Sequence, residues 1–101
     1  MKPNARWGQS SCLIDEELVI FAGYAGNDLI YVDNTYMNDI WVLNLVTFKW
    51  DQLKPFGDIP ECRSNATMNY DKINNRILMF GGGGNNKKRF NSVYSLDWQT
   101  K

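Results

Sequence analysis

An apolar run that ends in glycine occurs twice in this sequence, and the recurrence limits the folds open to it. Ile77-Leu78-Met79-Phe80 leads into Gly81-Gly82, and Leu18-Val19-Ile20-Phe21 leads into Ala22-Gly23. Phe21 and Phe80 are 59 residues apart, as are Gly23 and Gly82. Each run has strand length and ends where a backbone must turn or be closely approached, which argues for strand over helix. A phrase that recurs at this distance indicates an internal repeat.

The repeat extends both ways. Pro3-Asn4-Ala5-Arg6 matches Pro60-Glu61-Cys62-Arg63 at an offset of 57 residues. Asn38-Asp39-Ile40-Trp41-Val42-Leu43-Asn44 matches Asn91-Ser92-Val93-Tyr94-Ser95-Leu96-Asp97 at an offset of 53. The offsets differ, so strands repeat while loops change length. Copy one continues through Thr47-Phe48-Lys49-Trp50 and Gly57-Asp58-Ile59-Pro60; copy two reaches Thr100 without a matching Trp.

This ordered set of motifs resembles the Kelch repeat, one blade of a β-propeller, at a period of roughly 50 residues. Some positions depart from the family pattern. Gly8-Gln9-Ser10 and Asn65-Ala66-Thr67 stand where the family has a small residue, His and Ser, and Ala22 replaces the first glycine of its pair. The resemblance implies an all-β chain of two antiparallel, four-stranded-type blades in an incomplete ring. Residues 1–57 form the first blade, and residues 58–101 the second, which lacks its outer strand. Propellers typically have about four to eight blades, so two blades imply an excerpt or a subunit that completes a ring by assembly.

Strands are expected at 7–14, 18–21, 39–45, 49–53, 64–70, 76–80 and 92–98. Small residues Gly8, Ser10 and Ser11 suit an inner strand crowded near an axis. Asn74-Asn75 tolerates a left-handed backbone and suits a tight turn. Trp50 is expected to anchor its blade on the neighbouring sheet. Trp98 is expected to cover apolar surface while staying partly exposed.

Net charge is zero, with 11 basic and 11 acidic residues, which argues against nucleic-acid and membrane-surface partners. No long apolar span and no apolar leader core are evident, and Cys12 and Cys62 fall at unmatched repeat positions. Free thiols and a cytoplasmic location are expected. The sequence has no His, which removes the commonest general base and metal ligand. Gly81 to Gly84 lacks the Lys-Ser/Thr partner of a phosphate loop. No cofactor, metal or catalytic residue is expected.

The family resemblance implies a protein–protein interaction module of scaffold or adaptor type. The alternatives are a piece of a Kelch-type enzyme, such as a sugar mutarotase, or a self-assembling two-blade subunit. In an antiparallel blade, the loops joining strands two and three share one face with the linkers that enter strand one. That face gathers Arg6 and Arg63, the aromatic and acidic loop 24–37 (Tyr24, Asp28, Tyr31, Asp33, Tyr36), and the basic loop 83–90 (Lys87, Lys88, Arg89, Phe90). Arginines and aromatics on loops over a rigid scaffold suit recognition. A protein or peptide partner is expected there, together with further Kelch blades in cis or by self-association. The two repeated arginines also have a structural reading, as donors to neighbouring loop carbonyls.

Overall fold

A computed structural model of the protein describes residues 1–25 and 36–101. It is all-β. The strands are β1 Ser10–Ile14, β2 Glu17–Tyr24, β3 Tyr36–Asn44, β4 Lys49–Leu53, β5 Thr67–Asp71, β6 Arg76–Phe80 and β7 Val93–Asp97. They form two antiparallel sheets, β1-β2-β3-β4 and β5-β6-β7, each meandering in sequence order.

Register decides which side chains face the partner sheet. In the first sheet, Cys12 lies opposite Val19, Val19 opposite Val42, and Phe21 opposite Ile40. In the second, Met79 lies opposite Met68 and Tyr94, and Ile77 opposite Tyr70 and Leu96. These two faces form one shared core of Ile14, Val19, Phe21, Ile40, Val42, Ile77 and Met79, with Met68, Tyr70, Tyr94 and Leu96 packed around it. Burying one such aliphatic side chain contributes about 1.5–3 kcal/mol. The core between the sheets therefore holds the two blades together. A polar latch adds to it at the inner strands, where Ser10 Oγ donates to Ala66 O at 2.8 Å and Asn65 N donates to Gly8 O at 2.7 Å.

The repeat predicts β4 and β6 to the residue, and the other strands differ at their ends. β2 does not stop at Phe21 but runs through the glycine to Tyr24, with a register shift between Phe21 and Gly23. Ala22 takes φ +61°, matching φ +79° at its counterpart Gly81, so the alanine copies a glycine conformation while 1% exposed. Tyr24 and Tyr36, expected in a loop, pair with each other across β2 and β3. β1 begins at Ser10 rather than Trp7, which makes only an isolated bridge to Tyr24. Asn75 is left-handed at φ +49° in the β5–β6 turn.

Two tryptophans differ from expectation. Trp50 lies on the sheet face that carries Leu43 and Trp41, turned away from the second sheet. Its ring meets Trp41 edge-on at 6.5 Å, so it packs on its own blade. Trp98 is buried to 7% exposure in the shared core, and Lys101 Nζ sits 4.4 Å from its ring. The turn after β7 folds Trp98 inward, since its N–H bonds to Asn75 O at 3.0 Å.

Candidate functional site

The end of β2, the start of β3 and the loop after β6 come together at one end of the molecule, and the repeated arginines organise that end. Arg6 sits at the entry to the first sheet. It donates from Nε to Asn4 O at 3.2 Å and from Nη1 to Ala22 O at 3.1 Å. Its distal edge grips Asp39 bidentately, Nη1 to Oδ1 at 2.6 Å and Nη2 to Oδ2 at 3.0 Å. Trp41 Nε1 donates to the same Oδ2 at 2.8 Å. Burial pushes the Asp39 carboxyl up, but the hydrogen bonds from Arg6 and Trp41 and the Arg6 charge outweigh it. The net result lies below the usual carboxylate value.

Arg63 enters the second sheet in the same way. Its Nε donates to Glu61 O at 3.0 Å and its Nη1 to Gly81 O at 2.9 Å. These acceptors are the repeat counterparts of Asn4 and Ala22. Its backbone ties the two blades together, since Gly23 N donates to Arg63 O at 2.9 Å and Arg63 N donates to Met37 O at 3.0 Å. The residue is 1% exposed. Its guanidinium lies 3.9 Å from the Phe90 ring centre and 5.4 Å from that of Tyr94. Both repeated arginines thus hold loop carbonyls.

The loop after β6 is shaped by glycine. Gly82 has φ +98°, and a Cβ there would lie 2.8 Å from Ser64 O. Only glycine permits that approach, which lets Ser64 and Gly83 exchange two backbone hydrogen bonds at 2.8 and 2.9 Å. The loop closes through Gly84 N to Lys88 O and Phe90 N to Gly82 O. Lys88 Nζ pairs with Glu61 at 2.7 Å, both side chains exposed. Lys87 and Arg89 are exposed and make no ion pair among the described residues.

A groove lies between the start of β3 and the loop after β6. Tyr36, Ser64, Asn65, the 82–86 segment, Lys87 and Arg89 line it. Its described lining holds two cations and no acid. Beside it, Tyr24 stacks between Trp7 and Tyr36, with ring centres 5.1 and 4.9 Å away.

The structure therefore brings Tyr36, Lys87 and Arg89 together, with Tyr24, Lys88 and Phe90 adjacent. Arg6 and Arg63 lie beneath this surface as supports. Asp28, Tyr31 and Asp33 fall outside the described residues. Ser64 and Asn65 were not among the residues expected at the site. The signal for them was their position directly after the repeated Arg, where the second copy departs from the family pattern. Cys12 is half-buried, and burial pushes its thiol up to about 11, so it stays protonated at neutral pH. Among the described residues, no group of three or more acidic or Cys side chains is placed to hold a metal ion, and no helix is long and apolar enough to cross a membrane.

The sheets, the repeated arginine supports and the glycine-shaped loops define a pair of propeller blades, and comparison with known proteins agrees. Residues 8–101 match the KLHDC2/KLHL20/DRC7 Kelch-repeats domain. The protein belongs to the Kelch-repeat family. It is similar to dynein regulatory complex subunit 7 of Chlamydomonas reinhardtii, 30% identical over 91% of this chain and 8% of that protein. It is also similar to human Kelch domain-containing protein 10, 35% identical over 80% of this chain and 17% of that protein. Kelch repeat-containing protein 2 of Saccharomyces cerevisiae is 34% identical over 80% of this chain and 9% of its own length. The chain thus spans under a fifth of the length of these relatives.

Proposed function

We propose that the protein is a non-catalytic protein–protein interaction module whose partner docks on the loop end of the second blade. The observation that carries this is the groove itself. Tyr36 of one blade and Lys87 and Arg89 of the other, which make no ion pair among the described residues, line it together with backbone and small polar side chains. Aromatic and cationic groups held over a rigid sheet supply contact area and charge recognition with little ordering cost. Charge reversal at Lys87→Glu and Arg89→Glu tests it. The doubly reversed full chain should recover at least tenfold less of the proteins that co-purify with the unaltered chain from cells. Equal recovery would remove the reading.

A second reading, self-association, rests on a separate observation. The outward faces carry the repeat counterparts of the shared core. Leu78, Phe80 and Val93 correspond to Val19, Phe21 and Ile40, while Leu18, Ile20, Trp41 and Leu43 correspond to Ile77, Met79, Tyr94 and Leu96. Phe80 and Val93 are 51% and 66% exposed. One copy's second blade would then dock on the next copy's first blade, a head-to-tail contact that closes into a ring. Light scattering should show assemblies, and Phe80→Asp should reduce them to monomer. A monomeric unaltered chain would end this reading.

A further inference from the structure

We propose that a cavity between the two sheets binds a small aromatic molecule carrying an N–H donor, its ring lying beside Tyr94 as the ring of Trp50 lies beside Trp41. The cavity shares no lining residue with the groove at the loop end, so the inference stands apart from the interaction reading. The repeat supplies the comparison. In the first blade, β4 places Trp50 opposite Leu43, and its ring meets that of Trp41 edge-on. Tyr94 and Leu96 are the counterparts of Trp41 and Leu43, and both line the cavity. The face that an indole ring covers in one blade therefore borders open space in the other.

The lining selects the ligand. It is mostly apolar and brings together Phe21, Phe56 and Tyr94 with the thioethers of Met68 and Met79. Methionine adapts its shape to an inserted ring and makes favourable sulfur–aromatic contacts. A ring beside Tyr94 also gains from edge-on packing. Asp58 is the one charged residue of the lining and makes no ion pair among the described residues. Its carboxylate accepts an N–H and repels an anion. The cavity measures about 70 Å³, whereas an enclosed apolar cavity that takes benzene is about 150 Å³. A ring therefore fits with one edge under the 55–60 segment, where Phe56 is 83% exposed and borders solvent. That segment is tied at both ends, by Phe56 N to Lys101 O at 3.2 Å and by Asn38 Nδ2 to Pro60 O at 3.2 Å. A strap so held leaves room for a free molecule, whereas the backbone of a partner's strand would have to displace it.

The test titrates indole into the full chain while the methyl resonances of its four methionines are followed. Met68 and Met79 should shift saturably, Met1 and Met37 should stay still, and Tm should rise. No saturable shift, or equal shifts at all four methyls, overturns the inference. Cyclohexanol, which lacks the aromatic ring, and indole-3-acetate, which adds a negative charge, should each bind at least tenfold more weakly than indole. Either one binding as tightly as indole overturns the ligand class. Leu96→Trp, which fills the cavity from β7, should abolish the shifts, and unchanged indole binding in that variant overturns the site. If Leu96→Trp does not fold, Phe56→Ala decides in its place, since that side chain is exposed: binding should weaken at least threefold, and unchanged binding overturns the inference. An extended peptide with a central Trp should bind no more tightly than indole; tenfold tighter binding would overturn a free molecule as the occupant.

Discussion

The two blades use one backbone frame and two different electrostatic solutions at their loop ends. In the first, Arg6, Asp39 and Trp41 form a closed set in which charge meets charge and every partner is internal. In the second, Arg63 and Tyr94 stand at the places of Arg6 and Trp41, Ser92 stands at the place of Asp39, and the Arg63 charge meets the rings of Phe90 and Tyr94. The difference shows which part of the repeat is scaffold and which is free to diverge. The bonds to the carbonyls are kept in both copies. The carboxylate is kept in one only, and the blade that lacks it is the one whose Lys87 and Arg89, without an ion pair among the described residues, line the groove.

The largest effect expected from breaking this comparison is at Asp39. Asp39→Ala leaves Arg6, whose side chain is 4% exposed, without its counter-charge, and should cost about 3 kcal/mol in chemical denaturation. The matching change Ser92→Ala removes no charge partner and should stay within about 0.5 kcal/mol. A similar cost at both sites would mean that the blades are not electrostatically different.

Gly82→Ala comes next. It combines a left-handed φ with a Cβ 2.8 Å from a backbone oxygen, and should cost about 2–3 kcal/mol and loosen the 82–90 loop. Ala22→Gly probes the first blade, where the alanine already sits at φ +61°. It should be neutral or slightly stabilising, by under about 1 kcal/mol.

Phe90→Ala should cost about 1–2 kcal/mol, since it removes the ring over Arg63. Amide exchange should then rise at Gly83, Gly84 and Phe90 and stay unchanged in β1 to β4.

The smallest expected effect is one of pH. Asp39 has a folded-state pKa below its ordinary value, so its contribution is complete above the unfolded value of about 3.9 and is lost as pH falls through the folded value. The stability difference between the unaltered chain and Asp39→Asn should therefore shrink as pH falls from about 5 to below the unfolded value, about 3.9. A difference that stays constant across that window would show that the Arg6 pair contributes no pH dependence.

Much of the frame was legible in the sequence because strand propensity and glycine geometry act locally. The run from Ile77 to Phe80 had to be a strand, and its glycines had to turn. The extent of β2 was not legible. Tyr24 and Tyr36 pair only because the register shift at Ala22 lets the strand continue past its glycine, a conformation more often read as a stop. The burial of Trp98 depends on a turn that brings it under the second sheet, and the placement of Trp50 depends on Trp41 across the sheet; neither contact is local. The shared end of Arg6, Arg63 and the loop after β6 followed from strand alternation. The groove itself did not, because Ser64, Asn65 and the glycine backbone line it through long-range bridges that no residue type announces.

The most direct test of partner docking at the loop end places a photo-crosslinking residue in the full protein at Lys87 and, separately, at Lys72 in the β5–β6 turn at the opposite end. Discrete protein adducts are expected from position 87, abolished by Arg89→Glu, and none from position 72. Adducts from position 72 alone, or equally from both, would contradict docking at that end.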